Sequence, residues 1–377
     1  MPPPRDASGA IARRGDLFVA AGVAGVDRRS GERPRETQSE FDLAFENLAA
    51  LLGDAGAALE EVGLVNVWIP NRDARAFIDP AWLRVFPGPV RPARKTNEAP
   101  LPDGASVLLQ AFGRSGSTAV EVAVSGLVHR SPLPAAARLG SWVFSSVICG
   151  DDLKSGAFAE MPEAQIAQAF DNVGAVMEAA GGALDGVNHL WVFLSDMALN
   201  RTMLSAYLRA FPRERDRPAR KTVAYKLPPG LHIQVQFVGD VVDGRRNFEA
   251  PGVWHHDPIP LASLAGGLLL SSGVHGIDPH TSQMVKGGVR EETRVAVGNV
   301  EALMEAADGS LSDVAGLTVL VRDYADAPAI RDAVGARFGD LPALHFANYP
   351  LPDELNVQFH IAAARGLTQA GAPTSVS

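Results

Sequence analysis

The hexapeptide RPARKT occurs twice in this chain, at residues 91–96 and 217–222. Each copy sets an arginine, Arg94 or Arg220, two residues after a proline, at the entry to a strand. A guanidinium presents five donors in a rigid fork and stays charged at any working pH. It can clamp a carboxylate bidentately, but it cannot serve as a general base near neutrality. Identity of the two hexapeptides, in stretches that otherwise differ, points to shared work. The competing role is an ion pair across an interface. The adjoining Lys95 and Lys221 alternate to the opposite strand face and are expected in solvent.

Other polar residues could complete a site. Ser146 and Ser272 lie on apolar strands, where a hydroxyl donates to a carbonyl oxygen, holds a water, or only completes strand-edge hydrogen bonding. Gln234 and Gln358 can orient a water but cannot take its proton. Asp79 precedes Pro80 and reads as a helix-start residue or as the carboxylate of a cleft. His255, His256 and Asp257 are adjacent, and extended neighbours point to opposite faces, so they chelate poorly. His275 and His280 match no recognised metal-ligand spacing, while His345 and His360, on the last two strands of the third copy, read as a new site or as structurally satisfied residues, and no metal is expected. Cys149, the one cysteine, excludes an internal disulfide and a thiolate cluster and reads as a small buried hydrophobe. No glycine-rich phosphate loop opens a helix, and no cofactor is expected.

The elements that must carry these residues recur. Gly15, Gly140 and Gly266 are spaced 125 and 126 residues apart. A short apolar strand follows each: DLFVAAG, SWVFSSV and GLLLSSG. Next comes a helix with Asn47, Asn172 or Asn299 in one column, then an apolar strand (LVNVWIPN, HLWVFLSD, LTVLVRD), a second helix and two closing strands. Phe41, Phe45, Leu48 and Leu52, like Ile166, Phe170, Val173 and Met177, are spaced for one helical face. Pro162 and Gly181 bracket the second copy's helix. The reading is an α+β fold: three sandwiches, each a β-sheet with two helices on one face. The open sheet faces need cover, which three units supply by closing into a pseudo-threefold ring. The boundaries are residues 1–115, 116–241 and 242–365, with a disordered tail over 366–377. TAVEVAVSGLV, between the first two copies, reads as a strand of the second and not as a flexible linker.

These motifs together resemble the RidA/YjgF family of small enamine/imine deaminases, over about residues 5–365. That resemblance implies a chorismate mutase-like fold, normally a homotrimer with ligand clefts between subunits. It implies hydrolysis of 2-imino or enamine acids to 2-keto acids without metal or cofactor. The family's carboxylate-binding arginine corresponds to Arg94 and Arg220, with Leu344 in the third copy. Its serine matches Ser146 and Ser272, with Ala21 in the first. A helix asparagine aligns with Asp79, Leu204 and Arg331, and a cysteine with Thr96, Thr222 and Phe346. The water-orienting glutamate aligns with Leu108, Gln234 and Gln358, so no copy keeps it. Three pairings of arginine and serine columns are open, and the favoured one sets each arginine against the following copy: Arg94 with Ser146, Arg220 with Ser272, Leu344 with Ala21.

Composition bounds the rest. A hydrophobic content of 46% and a charged content of 20% fit a soluble globular protein. A formal net charge of −9 argues against a nucleic-acid surface. No apolar run reaches the ~18 residues of a membrane span. The opening MPPPRDASGA lacks the apolar core of an export signal, and a cytoplasmic setting is expected. The leading expectation is a monomeric pseudotrimer acting on a small carboxylated imine, enamine or related intermediate by hydrolysis, tautomerisation or cyclisation. The alternatives are a chorismatase-like hydrolase of an enol-pyruvyl compound and a non-catalytic small-molecule-binding protein.

Overall fold

Gly15, Gly140 and Gly266 each turn a tight hairpin, with φ of 53°, 59° and 55°. Only glycine adopts that left-handed conformation without strain. The hairpins pair Ala10–Arg14 with Leu17–Ala24, Ala136–Leu139 with Trp142–Ser145, and Ala262–Ala265 with Leu268–Ser271. The computed structural model describes residues 9–127, 129–242, 244–255, 257–352 and 354–365, so the expectations for His256 and for the 366–377 tail lie outside the described residues.

Six helices accompany the hairpins: α1 Thr37–Asp54, α2 Ile78–Val85, α3 Pro162–Ala179, α4 Asn200–Ala210, α5 Gly288–Ala306 and α6 Ala327–Gly335. Their apolar stripes are buried, as the spacing requires: Phe41, Phe45, Leu48 and Leu52 of α1, and Ile166, Val173 and Met177 of α3, are all fully enclosed. Each long helix is pinned by its asparagine. Asn47 donates to the Ala24 and Val26 carbonyls, Asn172 to those of Cys149 and Asp151, and Asn299 to those of His275 and Ile277. Between each pair of carbonyls stands a glycine. A Cβ at Gly25 or Gly150 would meet the Glu40 or Gln165 carbonyl oxygen at 2.0 or 1.9 Å.

Three mixed sheets result. In each, the strand before the short helix and the strand after it run parallel: Val62–Ile69 with Ala93–Glu98, Val187–Leu194 with Ala219–Ala224, and Val314–Val321 with Ala343–Ala347. A last antiparallel strand (Leu108–Arg114, Ile233–Asp240 or Val357–Ala364) lies between that pair and the hairpin. The post-helix strand is left at an edge every time. Ala119–Val122, in the stretch expected to join the second unit, pairs with Ala136–Leu139 there.

Alternation along the strands divides the packing. Val65, Val67 and Ile69 face α1 and α2 in the first sheet's own core. Leu64 packs instead with Val19, Leu139, Trp142, Leu268 and Ala315, and Trp68 with Phe193, Tyr225, Leu320 and Tyr349. The first sheet therefore has helices on one face and residues of the other two sheets against the opposite face.

Candidate functional site

The outer rim of each edge strand abuts the hairpin of another unit. The Arg94 backbone N–H donates to Ser146 Oγ at 3.1 Å, and the Arg220 N–H to Ser272 Oγ at 3.0 Å. At the corresponding third contact, Gly22 N–H donates to His345 Nδ1 at 3.4 Å, beside Ala21 and Leu344. These contacts bring Arg94 to Ser146 and Arg220 to Ser272, the favoured one of the three pairings. Ser272 Oγ also donates to the Pro260 carbonyl at 2.7 Å, so its proton is committed to the scaffold.

Both guanidinium groups are buried and already hold a carboxylate. Arg94 Nη2 lies 2.6 Å from Asp79 Oδ1, and the group stacks 4.8 Å from the centre of Trp82. Among the described residues, its Nε and Nη1 have no partner. Asp79 is thus both a first-turn residue of α2 and a member of the site, which joins the two readings of it. Arg220 Nη2 lies 2.5 Å from Asp257 Oδ2, Nη1 donates to Thr222 Oγ1 at 2.7 Å, and the group stacks 4.9 Å from Tyr207. Its Nε has no partner among the described residues. Asp257 comes from the segment leading into the third unit. Both the clamp and the ion-pair readings of the arginines therefore have a physical basis, because the pairs leave donors over. Beside Arg94, burial and then the guanidinium charge pull His129 down to about 4, leaving a neutral ring whose Nε2 has no partner among the described residues.

The lysines depart from expectation. Lys95 is 1% exposed. Its Nζ lies 4.2 Å from the centre of Phe193 and 4.6 Å from that of Tyr225, 2.9 Å from the Thr96 carbonyl and 3.4 Å from Gln234 Oε1. Lys221 is partly exposed and donates from Nζ to Gln358 Oε1. Strand alternation does put both on the face opposite the arginines. That face is covered by the neighbouring unit, however, so Lys95 is buried and Lys221 only partly exposed. Burial, helped by Arg75, lowers Lys95 to about 7, and burial alone lowers Lys221 to about 8. Nothing in the hexapeptide signals this, because the cover comes from residues 98 to 139 positions away. Gln234 and Gln358 thus meet a lysine each. At the third contact, His345 takes the lysine column, 4.9 Å from Trp68 and held near 3 by burial, and Leu108 takes the glutamine column.

The remaining candidates separate. Burial, then Asp151, pushes Cys149 up to about 12, so its thiol stays protonated. His345 and His360 pack against different units, the latter 4.8 Å from Trp191. Among the described residues, no three His, Cys, Asp or Glu side chains are grouped to hold a metal ion. Among the described residues, no helix is long and apolar enough to cross a membrane. Where the sheets face one another, a cavity of about 60 Å³ is bounded by Asn66, Gln110, Trp191, Gln236, Thr318 and His360, among others. Gln236 donates to Asn66, Asn66 to Gln110, and Gln110 to Thr318, at 3.1, 3.3 and 2.8 Å.

Comparison with known proteins adds a family. Residues 128–240 and 260–358, more than half the chain, match the family described as endoribonuclease L-PSP. A RutC family protein of Pyrococcus horikoshii is 36% identical over 83 residues, 22% of this chain and 66% of that protein. The chain thus spans just under two thirds of the length of that relative. A 2-iminobutanoate/2-iminopropanoate deaminase of Rattus norvegicus is 33% identical over 103 residues, 26% of this chain and 75% of that one. A chorismatase crystal structure superposes with a TM-score of 0.54 at 18% identity, covering 81% of this chain and 93% of that one, a likeness of fold.

Proposed function

This chain belongs to the endoribonuclease L-PSP family, the RidA/YjgF group, and from that premise we propose a cofactor-independent enzyme acting on a small carboxylated imine, enamine or related intermediate. The three units, residues 1–115, 116–241 and 242–365, close around a common axis within one monomeric chain. Their contacts support this closure: the first unit bonds the second through Ser146, the second the third through Ser272, and the third the first through His345. The reaction sites are the first two of these contacts.

One observation carries the reading. Two buried arginines stand at equivalent contacts, and among the described residues Nε and Nη1 of Arg94 and Nε of Arg220 are left without a partner. Buried, unsatisfied donors on a cation are costly, and a ligand carboxylate would satisfy them. Arg94 and Arg220 anchor that carboxylate, Thr222 braces Arg220, and the serines hold the arginine strands in place. Thr96, two residues beyond Arg94, shares the arginine's face, and Gln234 and Gln358 line the other flank, where their amides orient but cannot deprotonate water.

Calorimetric titration with pyruvate and 2-oxobutyrate tests the binding. Turnover of freshly generated 2-iminopropanoate tests the chemistry, with chorismate as the parallel substrate for the enol-pyruvyl alternative. Arg94→Ala and Arg220→Ala should each weaken carboxylate binding about tenfold or more, as loss of a charge-assisted contact requires. Unchanged affinity in both variants would sink the proposal. A non-catalytic binder is the second reading. It is favoured by Asp79 and Asp257, which already occupy the arginines. Tight binding without turnover would select it.

A further inference from the structure

The cavity where the sheets face one another is lined by neither Arg94 nor Arg220, and all three sheets wall it: Asn66 and Trp68 from the first, Trp191 and Gln236 from the second, Thr318 and His360 from the third. Among the described residues, no aspartate, glutamate, lysine or arginine lines it. His189 and His360 do, and both rings are neutral. Burial holds His189 near 4, and burial followed by Lys221 holds His360 well below its ordinary value. A charged occupant would be enclosed without a counter-charge, at high cost, so the cavity suits an uncharged one. Its volume, about 60 Å³, is twice the ~30 Å³ that a water occupies in the liquid. That is room for two waters or for one molecule of about four non-hydrogen atoms.

Strand pairing brings two of these polar groups side by side. Thr318 and His360 are direct partners on neighbouring antiparallel strands, so their side chains leave the same face with Cβ atoms ~5 Å apart. The Thr318 hydroxyl accepts from Gln110 Nε2 at 2.8 Å, which leaves its own proton to be given. His360 is 6% exposed, and among the described residues neither ring nitrogen has a hydrogen-bond partner. The Ser271 carbonyl lies beside the ring without closing a bond to it and orients the one N–H, so the other nitrogen is a bare acceptor. The Trp191 ring stands 4.8 Å from that of His360. At matching strand positions the other sheets put Asn66 or Trp191 for Thr318, and Phe112 or Val238 for Ala362, so the smaller side chains of the third sheet leave the room.

We propose that this cavity is a binding site for a small uncharged carboxamide. Its oxygen accepts from the Thr318 hydroxyl, its N–H donates to the bare His360 nitrogen, and its apolar end lies on the Trp191 ring. A carboxamide carries acceptor and donor in one rigid plane, so a single small group meets two neighbouring side chains at once. A water on the same pair would turn its remaining side to the Trp191 ring, where an apolar group fits better. The site needs neither Arg94 nor Arg220, so it stands or falls independently of the carboxylate sites. An occupant would touch side chains of the second and third sheets and the end of the amide chain that begins in the second and runs through the first.

The test uses the whole chain, isotope-labelled at nitrogen, and three probes of one size and shape: acetamide, acetone, which lacks the donor, and acetate, which bears a charge. The five tryptophans each give an indole N–H signal in the nuclear magnetic resonance spectrum. The Trp191 signal, assigned by its loss in Trp191→Phe, should shift saturably with acetamide. Acetone should bind about fivefold more weakly, as loss of one neutral hydrogen bond requires, and acetate should leave the signal in place. His360→Phe keeps a ring without its nitrogens and should weaken acetamide about fivefold as well. Ala362→Leu fills the space, keeps every polar atom, and should abolish the shift. Equal binding of acetone and acetamide would show that the cavity selects by volume alone and would overturn the proposal. A Trp191 signal that acetamide leaves unmoved, or moves only together with all the others, would overturn it too, leaving water as the occupant.

Discussion

Around Lys95 the charge balance can be read group by group. Phe193 and Tyr225 enclose the ammonium, Arg75 opposes it, and Glu98 and Cys149 favour it. Its folded value, about 7, lies below the ordinary lysine value, so between the two the unfolded chain binds more protons and stability rises with pH. Tyr225 and Cys149, both pushed up to about 12, stay neutral through that window. Lys95→Met should therefore raise the melting temperature at pH 6, with the gain shrinking as pH climbs from 7 towards 10. A constant gain would show that the lysine is not titrating there. Asp257 makes a second case. Its carboxylate sits on Arg220 where a ligand carboxylate would go, so Asp257→Asn should tighten binding of 2-oxobutyrate about tenfold by removing a charged competitor. Unchanged calorimetric affinity would mean that the ligand does not use Arg220. At this scale the arginines were legible, because their chemistry is intrinsic. The lysines and Asp257 were not, because burial and pairing come from residues remote in sequence.

The secondary elements were the most legible level. Stripes on α1 and α3, the hairpin glycines and the asparagine column are all local periodicities, and each became the packing it implies. What periodicity could not say is why the asparagine recurs. Asn172 supplies the donors for two main-chain carbonyls on either side of Gly150, where the loop passes against α3 too closely for any Cβ. Asn172→Ala leaves both carbonyls unsatisfied and should cost about 2–3 kcal/mol, visible as a lower urea midpoint with unchanged slope. Asn47→Ala and Asn299→Ala should behave alike, since the geometry recurs; a loss below about 0.5 kcal/mol would show that water replaces the amide.

Across the whole molecule the contacts are unequal. Leu344 has no donor for a carboxylate, and burying that charge unpaired would cost several kcal/mol. Titration should therefore give two carboxylate sites per chain, and Arg94→Ala combined with Arg220→Ala should leave none. A third site in the wild-type chain would contradict this. Repetition and offset made the three hairpin glycines and the three long helices readable in advance. The cross-unit amide chain through Gln236, Asn66, Gln110 and Thr318 was not, because its members hold different residues at matching positions.

The contact between Gly22 and His345 spans 323 residues of chain. Its two sides therefore emerge from the ribosome far apart in time, at roughly 5–20 residues per second. Until the final strands arrive, Leu17, Val19 and Ala21 of the nascent first unit have no lid, although that unit's own helices can already pack. Synthesis thus passes through an interval in which a sticky apolar face is exposed on an otherwise finished fold. Loss of even the last strand, Val357–Ala364, would make that interval permanent.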